Sequence, residues 1–372
     1  MPLIKGPAIP VDKPKYGNND GNVKEPTVTT IDDDAAVQPP QKQPRQTLRF
    51  DPEYARWREP FGDKTRVPAC ATPLALRRYN DTFIRFIYAQ LPTQPHIQRT
   101  RYTCRSYDGV EIGIERFATA EQTSTNPQQQ LKPAVLHIHG GGMVAGDVDI
   151  FAPHIARLAA ESGVQIFSVE YRLAPEHPAP TPAEDCYAAL AWLSSHAAAL
   201  GVDASRLGLM GESAGGGLAA GTALAARDRG LEPPVKKQVL VYPMLDDRTV
   251  TTLSRDGTPL ERFATFSLPL AAMCWRAYVG RDKAGRADAD VSPYAAPARA
   301  DDLRGLPSTY IDVGGLDMFR NECTAFAARL AAADVEVEFQ LFPGVPHAFE
   351  AASDIGITKR AIEGRMRWLK DL

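Results

Sequence analysis

From residue 100 onward, short and nearly continuous apolar runs alternate with longer segments of helical spacing. The runs are AVLHIH (134–139), VQIFSVEY (164–171), RLGLMG (206–211), VKKQVLVY (235–242), STYIDVG (308–314) and VEVEFQLF (335–342). Between them, residues 150–161, 183–199, 214–229, 319–332 and 355–370 carry the spacing of helices. Apolar runs of strand length alternating with helices predict an α/β fold, with a mostly parallel central sheet flanked by helices on both faces. Ahead of this rhythm, RYTCRSY and EIGIERF flank Asp108-Gly109, a hairpin signal that adds antiparallel strands at one edge.

The two ends of the pattern differ from its middle. Residues 1–48 are rich in Pro, Asp, Lys, Gln and Thr and poor in large apolar side chains, so they read as a polar tail. Residues 49–99 hold aromatic and aliphatic residues at near-helical spacing, with Leu74, Tyr79, Phe83, Phe86 and Ile87 as the expected buried face. Residues 245–305 interrupt the alternation between two strands, as a functional insertion such as a lid would. Residues 100–372 then form the catalytic domain that carries this insertion. The last segment mixes Lys359, Arg360, Arg365, Arg367 and Lys370 with Ile362, Met366 and Leu369, and predicts an amphipathic helix with a solvated basic face.

Three local patterns carry chemistry. Gly211-Glu212-Ser213-Ala214-Gly215 fits G-x-S-x-G, with a strand before it and a helix after it. That context makes Ser213 a nucleophile on a sharp strand-to-helix turn. His139-Gly140-Gly141-Gly142 follows a strand, and its glycines let backbone N–H groups approach an oxyanion. Gly140-x-Gly142-x-x-Ala145 also fits a loose dinucleotide fingerprint, but MVAGDVDI continues without the helix that fingerprint requires. Asp317 and His347 each follow a strand, 30 residues apart, so they should emerge from adjacent strands as acid and base. Asp312, inside its strand, and Glu322, on the following helix, are rival acids. Glu322 is expected in a salt bridge.

Composition narrows the field. Hydrophobic residues make up 44% and charged residues 23%, with a net charge of −3, which permits a sizeable core and argues against nucleic-acid binding. The five cysteines, Cys70, Cys104, Cys186, Cys274 and Cys323, are scattered and odd in number. They suggest reduced thiols in a cytoplasmic protein, with a single disulfide as the alternative and no zinc site. No apolar run is long enough to cross a bilayer, so no stable membrane association is expected. No cofactor or metal is called for.

The segments HGGGMVAG, YRLAPEHPAPTPAEDC, GESAGGGLA, GLDMFRNE and PGVPHAFE resemble the hormone-sensitive-lipase-like branch of the α/β hydrolases. The resemblance spans about residues 100–372 and extends loosely over the helices before them. It implies the α/β-hydrolase fold with a helical cap built from the N-terminal helices and the 245–305 insertion. It implies a Ser213–Asp317–His347 triad, with Gly141, Gly142 and Ala214 as oxyanion-hole donors. It further implies hydrolysis of short-to-medium acyl esters of small molecules and a homodimer formed through a sheet edge or the last helix. Relatives acting as dehydratases, or as hormone receptors lacking the catalytic histidine, keep two other readings open. Two departures bear on substrate: Glu212 stands where many relatives have Asp, and Asp317-Met318-Phe319-Arg320-Asn321-Glu322 replaces DPLxDE. Phe263, Phe266, Trp275 and Tyr278 could line an acyl pocket or pack the cap. Arg172 and Glu176 are expected to pin the loop behind the oxyanion hole.

Overall fold

The computed structural model describes residues 48–123 and 130–372. The expected tail therefore lies, apart from Leu48, outside the described residues. In chain order the strands are β1 (Ile97–Arg105), β2 (Glu111–Thr119), β3 (Lys132–Ile138), β4 (Gln165–Glu170), β5 (Val202–Glu212), β6 (Lys237–Val241), β7 (Ser308–Gly314) and β8 (Val337–Phe342). The α-helices are α1 (Pro52–Arg58), α2 (Pro73–Tyr88), α3 (Val148–Ser162), α4 (Thr181–His196), α5 (Ala214–Asp228), α6 (Thr249–Asp256), α7 (Leu268–Val279), α8 (Arg320–Ala332) and α9 (Gly356–Lys370).

The strands form one sheet in the order β1-β2-β4-β3-β5-β6-β7-β8. β1 and β2 are the antiparallel hairpin, closed by a turn in which Ser106 N–H donates to Val110 O at 2.8 Å. β2 also runs antiparallel to β4, and all pairings from β4 to β8 are parallel. β3, β6 and the second half of β5 are buried at nearly every position because both faces are covered. Alternation along β5 shows this directly. Met210 and Glu212 turn toward α3, whereas a side chain on Gly211 would run into the backbone of Gly215 at the start of α5. The edge strand β1 instead exposes Arg99 and Arg101, charges that discourage pairing with another sheet.

Two sequence expectations fail here for the same reason. In α2, Leu74, Phe83 and Phe86 are exposed, and the buried positions are Leu76 and Asn80. The helix is oriented by polar anchors on its inner face. Arg77 donates to Val144 O and Ala174 O, and Asp81 accepts the Gly146 N–H at 2.8 Å. In α9, Arg365 does not belong to the solvated face. It is 3% exposed and grips Asp312 of β7 with two hydrogen bonds, at 2.6 and 2.9 Å, while donating a third to Glu350. Burial pushes the Asp312 carboxyl up, and the guanidinium counters that push without cancelling it. Each long polar side chain found a distant partner that no local pattern announces.

The Asp312–Arg365 pair closes α9 onto the sheet. Arg365→Met should cost about 3–5 kcal/mol, because it strands a buried carboxylate. Replacing both partners, as Asp312→Leu with Arg365→Met, should cost less than the single change. Urea denaturation of the three proteins checks this order.

Candidate active site

Ser213 sits between the end of β5 and the start of α5 with φ 56° and ψ −117°, a conformation that costs a non-glycine residue free energy. The turn is held from both sides. Ser213 N–H donates to Val241 O at 2.8 Å, and Ser213 O accepts from Met244 and Gly217 N–H groups at 2.9 and 3.1 Å. The turn can form only because its neighbours are small. A Cβ on Gly215 would collide with the carbonyls of Ile138 and His139 at the end of β3. A Cβ on Gly140 would lie 3.0 Å from Glu212 O and 3.6 Å from Ser213 Cβ. The glycine-rich loop after β3 is therefore packed directly against the serine turn.

Asp317 and His347 leave adjacent strands, β7 and β8, as their spacing suggested. His347 Nε2 lies 2.9 Å from Ser213 Oγ, and Nδ1 lies 2.7 Å from Asp317 Oδ2. Since the carboxylate can only accept, Nδ1 carries the proton and Nε2 is left to accept from the serine hydroxyl. Asp317 is buried, and its Oδ1 accepts the Phe319 N–H at 2.9 Å. The imidazole stands between the rings of Tyr242 and Phe319, whose centroids are 4.6 and 5.2 Å away. Thr265 Oγ1 holds the His347 carbonyl at 2.8 Å. The rival acids are elsewhere: Asp312 is engaged by Arg365, and Glu322 accepts the Leu245 N–H at 2.6 Å. Glu322 thus supports the backbone after β6, and among the described residues it does not form the expected salt bridge. Burial raises its carboxyl well above the usual range.

The loop Gly140–Gly146 is tied down from behind. Arg77 donates to Val144 O at 2.5 Å and is clamped by Glu176 at 2.9 and 2.6 Å, while Ala174 N–H donates to Met143 O at 2.9 Å. Glu176 thus acts on the loop as expected, through Arg77. Arg172 does not reach it, pairing instead with Asp185 and with Asp108 of the hairpin turn. His139 is buried, stacks on Tyr171 at 4.3 Å and donates from Nδ1 to Gly140 O. Burial lowers its pKa to about 4, so it is a neutral strut. Among the described residues, the N–H groups of Gly141, Gly142 and Ala214 have no protein acceptor.

One cluster escaped the sequence reading. Glu212, next to the serine, is 4% exposed and contacts His137 Nε2 at 3.0 Å and His154 Nε2 at 3.3 Å. Burial works to raise its carboxyl, but the two imidazoles outweigh that and hold it well below the usual range. His154 in turn stacks on Tyr88 of α2 at 5.1 Å. The departure from Asp at this position was the available signal, since the longer side chain spans to both histidines. Of the four aromatics in the insertion, Trp275 and Tyr278 are fully buried and Phe263 packs on Phe50. Phe266 faces His347, with a ring-to-ring distance of 6.4 Å. All five cysteines are free. Among the described residues no group of three or more His, Cys, Asp or Glu is placed to hold a metal ion, and no helix is long and apolar enough to cross a membrane.

A family model for the alpha/beta hydrolase fold matches residues 135–351, more than half of the chain. The esterase LipI of Mycobacterium tuberculosis is 36% identical over 283 residues, covering 75% of this chain and 83% of the relative. Hormone-sensitive lipase of Mus musculus is 34% identical over 199 residues, covering 50% of this chain and 25% of the lipase. The solved structure of a bacterial heroin esterase superposes with a TM-score of 0.75 at 36% identity, covering 87% of this chain and 97% of that one. With its sheet order, its serine turn and these relatives taken together, the chain belongs to the hormone-sensitive-lipase-like branch of the α/β hydrolases.

Proposed function

We propose that Ser213, His347 and Asp317 are the catalytic triad of a serine carboxylic-ester hydrolase, with Gly141, Gly142 and Ala214 as its oxyanion-hole donors. The observation that carries this reading is the continuous contact from Asp317 through His347 to Ser213, at 2.7 and 2.9 Å, beside three backbone N–H groups with no protein acceptor. Ser213 Oγ attacks the ester carbonyl carbon while its proton passes to His347 Nε2. The carbonyl oxygen becomes an oxyanion facing the three N–H groups. His347 then gives the proton to the leaving alcohol oxygen, and an acyl group remains on Ser213. Water then attacks the acyl carbonyl carbon as its proton passes to His347, and the acid leaves as His347 returns that proton to Ser213 Oγ. Asp317 fixes the imidazole and stabilises its cation throughout.

Residues 49–99 and 245–305 serve as the cap. Supporting this, Val67 N–H donates to Thr265 O at 2.8 Å and Arg66 donates to Glu261 O at 2.7 Å, joining the two segments above His347. Short-to-medium acyl esters are the substrate class we assign, a reading that rests on the family. The receptor alternative needs a chain without the base, and His347 in contact with Ser213 favours hydrolysis instead.

Hydrolysis of p-nitrophenyl esters from acetate to palmitate should be fastest at the short end. In Ser213→Ala it should fall by about 10⁴-fold or more, with an unchanged melting temperature. Persistent activity in that variant would refute the serine mechanism. Arg77→Ala frees the oxyanion loop from behind. It should lower kcat by about tenfold to a hundredfold with a smaller change in KM, because the donors act mainly on the transition state. A KM effect alone would place Arg77 in substrate binding.

A further inference from the structure

His347 stands in the loop between β8 and a short helical turn at Phe349–Ala351. That loop is held carbonyl by carbonyl. Phe342 O accepts from Gly315 N–H, Gly344 O from Asp51 N–H, Val345 O from Leu316 N–H and Ala348 O from Ala351 N–H. At His347 itself the donor is different. Its carbonyl oxygen accepts from a side chain, the Thr265 hydroxyl, at 2.8 Å, and among the described residues it takes no backbone donor.

This contact sits where the backbone is strained. Ala348 has φ 55° and ψ 39°, a left-handed conformation that residues with a Cβ rarely adopt. The peptide between His347 and Ala348 sets ψ of the first and φ of the second. Turning that peptide over would relax Ala348 and shift the backbone from which the imidazole projects. It would also withdraw the oxygen that Thr265 holds, so the hydroxyl opposes the turn.

Thr265 belongs to the insertion of residues 245–305 and not to the sheet. It lies half-buried on the bend between the helical turn Pro259–Arg262 and α7. Its own carbonyl accepts the Val67 N–H at 2.8 Å, and the next side chain, Phe266, faces the imidazole. Val67 thus braces Thr265, and Thr265 braces the backbone of His347. Asp317 holds only the far end, at Nδ1. A ring fixed at Nδ1 alone could pivot there and swing Nε2 away from Ser213 Oγ. Displacements of about 1 Å at reacting atoms cost on the order of a hundredfold in rate.

We propose that Thr265 is a positioning residue for the reaction: by holding the His347 carbonyl from the insertion, it keeps Nε2 in line with Ser213 Oγ and with the leaving oxygen. The proposal rests on the assignment of Ser213 and His347 given above.

The test separates the two proton transfers of acylation, from Ser213 and to the leaving group. Ethyl acetate and p-nitrophenyl acetate give the same acetyl-enzyme, and kcat/KM reports its formation alone. Ethoxide needs a proton from His347 to leave, whereas p-nitrophenolate leaves without one. A displaced imidazole therefore harms the ethyl ester more. Thr265→Val keeps the shape of the side chain and removes the hydroxyl. It should lower kcat/KM by about a hundredfold for ethyl acetate and about tenfold for p-nitrophenyl acetate. Thr265→Ser keeps the hydroxyl and should recover most of both rates. A general loss of folded enzyme would lower the two rates equally. Equal losses in Thr265→Val, losses as large in Thr265→Ser, or wild-type rates in Thr265→Val each overturn the proposal, while Ser213-dependent hydrolysis by wild type still stands. If Thr265→Val fails to fold, Thr265→Ala removes the hydroxyl without the branched side chain and is read in the same way. Absence of Ser213-dependent turnover of both esters would remove the esterase reading, and this proposal with it.

Discussion

The site depends on one close approach: the start of α5 pressed against the end of β3. Gly215 meets the carbonyls of Ile138 and His139 with no room for a methyl group. That contact places the serine turn and the glycine-rich loop side by side, which is the arrangement the proposed nucleophile and oxyanion donors need. It also explains why strain is tolerated at Ser213, whose φ of 56° is fixed by backbone hydrogen bonds on both sides. The sheet order then brings β7 and β8 alongside, and Asp317 and His347 rise from their ends.

Around this contact the chain uses polar anchors to aim apolar elements. Arg77 and Asp81 grip the oxyanion loop and thereby set the rotation of α2, leaving Phe83 and Phe86 outward. Arg365 draws α9 onto β7 through Asp312, and the same guanidinium holds Glu350, three residues beyond His347. The Tyr88–His154–Glu212 chain runs from the N-terminal helix to the residue before the serine. The groups that fix the helices thus also hold the segments on either side of Ser213 and His347.

Much of the fold was legible because its signals are local. Continuous apolar runs marked β3 to β7 as strands covered on both faces, and the observed strand ends differ from the sequence reading by a few residues. The serine turn was legible because a strained turn demands small residues at fixed offsets. Asp317 and His347 were legible from their positions just after strands. Glu322 and Arg365 were misread because each is satisfied by a partner far along the chain, Leu245 N–H for one and Asp312 for the other. The exposed aromatics of α2 were misread because periodicity gives a stripe and not the direction it faces.

By itself, then, the sequence determined the alternation of strands and helices, the serine turn, and the chain order of Ser213, Asp317 and His347 at strand ends. These follow from backbone sterics and from side-chain periodicity, which act over a few residues. Only the tertiary structure decided which face of α2 is buried, that Arg365 turns inward to Asp312, and that Glu212 lies between His137 and His154. Those outcomes are set by desolvation. A buried charge must find a partner wherever the fold supplies one, and the distance along the chain does not enter.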